Sequence, residues 1–556
     1  MPFSEIAQLQ LAAIRRRKRL ALAFSLRSGL TFLGGAGVRS FVHSSVLALS
    51  ALLPAFLLIG CEKKTEGPTP MDLDGFKRHL DTRIPELMDS YDVPGVVVAV
   101  IRSGEIEFSA AYGVASYRTG AKMTLDTPCR VESISKSVTA HGIMKLVQQG
   151  LIDLDAPVAK YLKSWDFPES RFDSSTITIR QLLSHTSGLP LGTIGVRYEP
   201  DGDRPTLKEA LSHDAHLWAS PGSEFFYSNT GFNLLELVIQ EVTGEPFADY
   251  MQREILIPSN MNQSSFEYDP AWRPGVPDGH NYDGDAFPPY VYPEKASGGL
   301  FATVEDVARF VSASRYGAPG PLNDQSRETM YSAQVQISGI YGLVFPHYGL
   351  GHFLEELQGA AGNHRAISHG GQGSGWMTHF HGIPETGDGI VLLTNSQRSW
   401  PLFSAILTDW ARWEGYDSIG MGLISRSAPY LSAMVWMIVL AGLLFLMLAF
   451  RNIASADPGH HRNLAGFLSK SQVRKVLGSA DSAQAGVFSF SVGAVSTFIL
   501  AGLLVAALLY VQTLPYFFLT SIFPVLTPRL GYALLFLAVS LLAYGITSGI
   551  ALLRSR

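Results

Sequence analysis

A serine and a lysine stand three residues apart at Ser133 and Lys136, a pair that could perform acyl transfer. A serine hydroxyl is a poor nucleophile at neutral pH, so it needs a nearby base and hydrogen-bond donors for the oxyanion. A helical run follows Ser133, which places both side chains on one face of a helix's first turn, where free N–H groups favour negative charge. A partly buried Lys136 could lose its proton and act as the base. Alone, the spacing also fits a solvated helix face.

A second candidate segment, Tyr227-Ser228-Asn229, lies between two phenylalanines and another helical run. If the segment is extended or tightly turned, the side chains of Tyr227 and Asn229 project the same way. A tyrosine near a cationic lysine can have a lowered pKa and pass a proton to a leaving group, and the asparagine amide could hold a substrate carbonyl. A core tyrosine followed by a helix-capping asparagine is the structural alternative.

The third segment, His369-Gly370-Gly371, opens a glycine-rich run just before strand-like residues. Glycine there would let a substrate approach the backbone closely, and the N–H of Gln372 would supply a second oxyanion donor. Taken alone, His369 would be a structural histidine. The order and separation of the three segments argue against coincidence, and together they predict an acyl-transfer site.

With these residues the chain resembles the serine β-lactamase and penicillin-binding protein superfamily, specifically its class C β-lactamase and DD-carboxypeptidase-like branch, which also holds esterases and aminopeptidases. The resemblance covers residues 73–415. The segments that carry it are Arg130–Ala140, Leu182–Pro190, Tyr227–Asn229, Ser297–Leu300 and Leu393–Asn395.

The resemblance implies a role for each matching residue. Ser133 would be the acylated nucleophile, with Lys136 and Tyr227 as the proton-transfer pair. Asn229 would contact the substrate and the lysine, and His369 with Gly371 would form the third motif. No metal or organic cofactor is implied.

Two positions depart from the family pattern. Cys129 stands where members often have an aromatic residue, which concerns packing more than chemistry. His369 stands where a typical class C β-lactamase has lysine, which favours the peptidase and esterase members over efficient antibiotic hydrolysis.

Hydrophobic periodicity predicts an α/β catalytic domain. Strands at both ends of this region, with helices between them, suggest an antiparallel sheet closed by the two ends of the domain and flanked by helices, with a mostly helical subdomain. The predicted strands are Val96–Ile101, Ile106–Tyr112, Thr378–Ile383 and Gly389–Thr394, and the predicted helices are Leu73–Tyr91, Ser137–Gln149, Ile179–Ser184, Leu234–Val242 and Val304–Ser314.

The composition indicates a membrane protein, since 47% of the 556 residues are hydrophobic and only 16% are charged. Three uncharged stretches, at 429–450, 486–511 and 530–553, are long enough to span a bilayer. The prolines Pro515, Pro524 and Pro528 suit a short interfacial loop between the last two spans. The predicted organisation is 1–61 basic region and export signal, 62–72 linker, 73–415 hydrolase domain, 416–428 linker and 429–556 three-helix transmembrane region.

Charge asymmetry orients the spans. The connection after the first span is rich in lysine and arginine, and the tail ends in Arg554 and Arg556, so both are expected in the cytoplasm. The hydrolase domain would then face the extracytoplasmic side of a bacterial cytoplasmic membrane. Near the N-terminus, Leu58-Ile59-Gly60-Cys61 resembles a lipoprotein signal in which Cys61 is lipidated, and an uncleaved N-terminal anchor is the alternative.

These observations predict a membrane-anchored serine hydrolase that acts on a cell-wall D-alanyl peptide or an ester. A penicillin-binding sensor that acylates without turnover, and a true β-lactamase, are the alternatives. Membrane lipid is a further partner, whereas the scattered basic residues argue against nucleic acid. His213 and His216 have helical spacing but no third ligand accompanies them, so a surface helix is favoured over a metal site. The sequence leaves the oligomeric state open.

Overall fold

The computed structural model describes residues 72–272, 275–338, 340–455, 480–512 and 518–554. The proposed signal and Cys61 lie outside these residues. The chain divides into two compact units. One unit comprises Gly67–Pro429 together with Tyr516–Thr527, and the other includes Tyr430–Pro515 and Pro528–Arg556.

An antiparallel eight-stranded sheet organises the first unit. Its order is β2-β1-β12-β11-β10-β9-β8-β7, so strands from the two ends of the domain, β1 and β12, pair with each other, as predicted. The strands are β1 Gly95–Arg102, β2 Glu105–Gly113, β7 Val335–Gln336, β8 His347–Tyr348, β9 Phe353–Leu357, β10 His364–Gly373, β11 Trp376–Ile383 and β12 Asp388–Thr394. Two small sheets pair β3 Cys129–Arg130 with β6 Phe301–Ala302 and β4 Gly279–His280 with β5 Ala286–Phe287.

The apolar run of β1 explains why this strand lies inside the sheet. Its residues from Gly95 to Ile101 are buried, and the register places Val98 opposite Leu392 of β12 and Ala110 of β2. Successive side chains point to opposite faces of a strand. Accordingly, Val97 and Ala99 enter one hydrophobic cluster while Val96 and Val98 enter another.

Helices cover both faces of the sheet. The described helices of this unit are α1 Leu73–Tyr91, α2 Ile134–Gln148, α3 Ile179–Leu183, α4 Leu207–Asp214, α5 Asn229–Thr243, α6 Phe247–Met251, α7 Val304–Ala313, α8 Asp324–Tyr331, α9 Ile340–Val344 and α10 Trp400–Trp413. Helices α1 and α10 contribute to one core, and α2, α5 and α7 contribute to the other. The Phe76 ring of α1 stacks on Trp413 of α10 at 4.4 Å between centroids, and His79 Nε2 lies 2.9 Å from Asp409 Oδ2. The first and last helices of the domain therefore pack against each other.

Within the part of the chain that the structure describes, three further helices are long and apolar enough to cross a membrane. They are α11 Gly422–Ser455, α12 Ala480–Gln512 and α14 Leu526–Arg554, and their candidate spans are Gly422–Ala454, Val495–Gln512 and Leu526–Ala551. Between α12 and α14 lies α13, Phe518–Ile522, a five-residue helix where the prolines predicted a loop. This segment belongs to the same unit as the sheet, because Ile522 and Phe523 pack in the core that holds α10.

Candidate active site

The turn that carries Ser133 is wound tightly. Ser133 precedes the first residue of α2, and the N–H groups of Ile134, Ser135 and Lys136 bond the carbonyls three residues before them at 3.2, 2.9 and 3.0 Å. The expectation that several N–H groups of this turn are free is therefore wrong for these three, because the preceding carbonyls already occupy them. The N–H of Ser133 itself remains the oxyanion candidate in this turn.

Lys136 lies beside Ser133, as the spacing predicts, but it is completely buried rather than on a solvated face. Its Nζ donates to Ser133 Oγ at 3.2 Å, to Asn229 Oδ1 at 2.7 Å and to the carbonyl oxygen of Ser297 at 2.7 Å. Burial lowers the pKa of Lys136 to about 7, although the nearby Glu132 carboxylate opposes that shift. The amine can thus gain or lose a proton close to neutral pH.

The second segment also meets the nucleophile. Ser228 is extended and its hydroxyl caps α5 by accepting from the N–H of Gly231 at 2.9 Å, so Ser228, not Asn229, is the helix cap. This leaves the Asn229 oxygen to Lys136. The Tyr227 ring lies 4.9 Å from Lys136 Nζ, and its hydroxyl is hydrogen-bonded to Ser133.

The expected lowered pKa of Tyr227 is wrong. Burial raises the pKa of this phenol, and the hydrogen bond with Ser133 offsets only part of the rise. Tyr227 is therefore protonated at neutral pH and can donate a hydrogen bond, which leaves Lys136 as the base candidate of the pair.

The third segment lies within strand β10 rather than ahead of a strand. His369 is fully buried, with Nδ1 2.9 Å from the carbonyl oxygen of Gly370 and Nε2 3.2 Å from the hydroxyl of Tyr348. Burial, together with the charge of Lys136, holds the pKa of His369 well below its usual range. The imidazole is neutral, so this position offers no fixed positive charge to a substrate.

Glycine in β10 permits a close approach to the strand, but the atoms that approach it belong to this chain rather than to a substrate. A Cβ on Gly371 would overlap Thr378 Oγ1 and the carbonyl oxygen of Val131 in the nucleophile turn. The neighbouring Gln372 donates from its side chain to the Tyr282 hydroxyl at 2.9 Å, and its Oε1 accepts from Trp400 Nε1 at 3.0 Å. Its side chain is thereby fixed, and the oxyanion role of its N–H stays a prediction.

Two residues contribute to the site beyond the predicted set. Ser297 supplies a carbonyl acceptor for Lys136, and it lies in a segment that the family resemblance marked without a role. The ring of His185 packs 4.3 Å from the Tyr227 ring, and its Nδ1 accepts from the N–H of Ser228 at 3.1 Å. The positive φ of His185, 58°, lies in a region few non-glycine residues adopt, and only tertiary structure reveals it.

A family model described as Beta-lactamase matches residues 80–408, more than half of the chain. Protein flp of Staphylococcus aureus strain NCTC 8325 is 29% identical over 198 residues, which cover 34% of this chain and 38% of that protein. Penicillin-binding protein 4* of Bacillus subtilis strain 168 is 26% identical over 193 residues, covering 34% of this chain and 41% of that protein. The matched region thus spans about two fifths of these curated relatives.

Solved structures agree with the fold. The octameric penicillin-binding protein homologue from Pyrococcus abyssi has a TM-score of 0.51 at 26% identity, covering 61% of this chain and 77% of that chain. SurE has a TM-score of 0.50 at 25% identity, covering 62% of this chain and 78% of that chain. Both likenesses support an antiparallel sheet flanked by helices.

Proposed function

This chain belongs to the Beta-lactamase family, and we propose that it is a membrane-anchored serine hydrolase in which Ser133 forms an acyl-enzyme with amide or ester substrates. One observation carries this proposal. Lys136 Nζ lies 3.2 Å from Ser133 Oγ in a buried site where the lysine pKa falls to about 7. A nucleophile and a base within hydrogen-bond reach are the requirement for serine acyl transfer.

The chemistry follows from this pair. Neutral Lys136 removes the proton from Ser133 as Oγ attacks the substrate carbonyl, forming a C–O bond. The N–H groups of Ser133 and Gln372 would stabilise the oxyanion. Collapse breaks the bond to the leaving amine or alcohol, which takes the proton from Lys136 through the Tyr227 hydroxyl. Water then cleaves the ester by the reverse proton path and frees Ser133.

D-alanyl peptides and simple esters are the proposed substrate classes. Two similar proteins carry penicillin-binding names, which supports a site for D-alanyl peptides or their β-lactam mimics. Neutral His369 takes the place of a lysine, and this favours a peptidase or an esterase over an efficient β-lactamase.

The proposed location is a bacterial cytoplasmic membrane, with the hydrolase on its extracytoplasmic face. Three candidate spans support membrane anchoring, and the lysine and arginine between the first two spans support this orientation. The packing of Ile522 and Phe523 in the hydrolase core is consistent with it, since this segment joins the second span to the third.

Ser133→Ala tests the assignment. Purified full-length protein is mixed with p-nitrophenyl acetate, a D-Ala-D-Ala peptide and a chromogenic cephalosporin, and the burst and steady-state rates are recorded. The variant should lose both phases, whereas Ser90→Ala, which removes an exposed hydroxyl bonded to the carbonyl oxygen of Glu86 at 2.7 Å, should retain them. Turnover that survives in Ser133→Ala contradicts the proposal.

A sensor that acylates without turnover is the second candidate. The observation in its favour is that three spans are present where a single helix would anchor the domain. Fluorescent penicillin combined with turnover of the D-Ala-D-Ala peptide and p-nitrophenyl acetate distinguishes the two functions. A sensor retains the label on Ser133 and turns over neither substrate, whereas a hydrolase turns over at least one, and an esterase need not accept the label at all.

A further inference from the structure

Glu132, the residue immediately before Ser133, has an unusual backbone. Its φ is 50°, in the left-handed region that disfavours residues with a side chain. The side chain is only 4% exposed, so a carboxyl group is buried directly beside the nucleophile. Such strain persists only where the surroundings impose it, and it concentrates at functional sites.

The Glu132 carboxyl group is held from three directions. Oε1 accepts from Arg130 Nε at 2.9 Å and from the Tyr290 hydroxyl at 3.0 Å, and Oε2 accepts from the Tyr292 hydroxyl at 3.2 Å. Arg130 is itself fully buried and donates to the carbonyl oxygens of Tyr290 at 2.6 Å and Gly298 at 3.0 Å. A buried ion pair is tolerated only when its remaining hydrogen bonds are satisfied, as they are here.

This cluster touches strand β10 where the oxyanion donors are proposed to meet. A Cβ on Gly373 would overlap the Glu132 carboxyl group. The Tyr290 hydroxyl, besides binding Glu132, lies 3.1 Å from the carbonyl oxygen of Ser374, just beyond the strand. The carboxyl group therefore fills the gap between the turn of Ser133 and the strand of Gln372.

We propose that Glu132 is a positioning residue for acyl transfer: its carboxylate, neutralised by Arg130, sets the spacing between the Ser133 turn and strand β10. This inference rests on the proposed function of Ser133. The arginine matters because an unpaired negative charge next to the oxyanion would oppose the transition state.

Glu132 also acts on Lys136 through its charge. The titratable groups that face Lys136 are Glu132 on the preceding turn, Tyr227 before α5, His185 after α3 and His369 in β10. The two histidines are neutral and the tyrosine is protonated, so Glu132 is the negative group of this set. Removing its charge leaves the lowering effect of burial on the Lys136 pKa unopposed.

Glu132→Gln and Glu132→Ala separate the two effects in the full-length protein. With p-nitrophenyl acetate as substrate, Glu132→Gln should move the acidic limb of the kcat profile to lower pH, because a more acidic Lys136 is neutral over a wider range. Glu132→Ala should lower kcat by about 10²-fold, comparable with the loss of one oxyanion donor, with KM little changed.

Glu328→Gln is the matched control. Glu328 also binds a tyrosine and an arginine, with the Tyr316 hydroxyl at 2.7 Å and Arg365 Nη1 at 3.4 Å, but it lies outside the site. Its kcat and acidic limb should match those of the unsubstituted protein.

The proposal is overturned if Glu132→Ala folds and matches the control in kcat, whatever the acidic limb of Glu132→Gln does. If Glu132→Ala does not fold, Glu132→Asp, which keeps the charge and shortens the side chain, replaces it in this comparison. Turnover that survives in Ser133→Ala instead overturns the proposed function, and with it this inference.

Discussion

At the scale of single residues, the site depends on one buried amine. Lys136 donates to three oxygens, and an ammonium group has three N–H donors for them. Burial of the side chain, by contrast, favours the neutral amine. Burial lowers its pKa to about 7, and the nearby Glu132 carboxylate opposes that shift. The same residue can therefore accept the proton of Ser133 and later return it.

The rate of Ser133 acylation should consequently rise with pH through about 7 and level off above it. Below that pH Lys136 is an ammonium and cannot take a proton; above it the base is free. Tyr227 should add no limb near neutral pH, since burial raises its pKa. Stopped-flow acylation by p-nitrophenyl acetate across this range measures the profile.

Lys136→Arg should lower the acylation rate by at least about 10²-fold, because a guanidinium cannot serve as the base. Lys145→Arg is the control on the same helix, where the lysine donates to the carbonyl oxygen of Pro321 at 3.2 Å. An unchanged rate in Lys136→Arg would remove lysine from the proton path.

At the scale of elements, strand β10 and helix α2 form the two walls of the site. The strand approaches the turn before α2 closely at Gly371, where a Cβ would overlap Thr378 Oγ1 and the carbonyl oxygen of Val131. Gly371→Ala should therefore displace β10 from the Ser133 turn and lower the acylation rate by about 10²-fold.

Gly202→Ala provides the comparison, since a Cβ there meets nothing nearer than 3.4 Å. Circular dichroism of both variants establishes that the fold is retained. If Gly371→Ala acylates as fast as Gly202→Ala, the strand does not need its close approach to the turn.

Many of the strands and helices were predictable from the sequence. The hairpin of β1 and β2 and the strands β11 and β12 follow from local apolar patterns, and the predicted antiparallel sheet closed by the two ends of the domain was confirmed. The sequence did not predict that His369 and Gly371 lie inside a strand. A glycine-rich segment indicates a loop, and these residues are in a strand because they pair with β11.

The predicted site residues lie together around Ser133, but the residues that surround them could not be predicted from the sequence. The hydroxyls that hold Glu132 come from Tyr290 and Tyr292, about 160 residues along the chain. The left-handed backbone of Glu132 is likewise a product of tertiary packing. The spacing of the motifs identifies the candidate reactive residues, whereas contacts between residues distant in sequence set the pKa and the position of their side chains.

At the scale of the whole molecule, the family match and the membrane helices occupy different parts of the chain. The Beta-lactamase model ends at residue 408, and the first candidate span begins at Gly422. The segment of α13 nevertheless packs with the hydrolase, where Ser521 Oγ lies 3.0 Å from Gln372 Oε1. A connection between two spans thus reaches the strand that bears the third motif.

This contact leads to a topology prediction. Cysteines introduced at Asp203, in the hydrolase, and at Ser521 should lie on the extracytoplasmic side, and one at Lys470, between the first two spans, in the cytoplasm. Intact cells are treated with a membrane-impermeant maleimide. The exposed Asp203→Cys should label above the unsubstituted chain, and Lys470→Cys should label only after the membrane is permeabilised.

Labelling of Lys470→Cys in intact cells would reverse the proposed orientation. Cys129 adds little background, since its thiol is buried. A cross-link between Ser521→Cys and Gln372→Cys under mild oxidation tests the α13 contact separately from orientation and activity.

The stacking of Phe76 on Trp413 means that the hydrolase begins and ends at one place. A short bridge across α1 and α10 could replace the natural ends, and the chain could be reopened at the exposed residues 203–206. The two ends of the hydrolase domain are therefore neighbours in the fold, although they are far apart in the sequence. Circular permutants with new membrane attachments should therefore keep the same arrangement of Ser133, Lys136 and Tyr227.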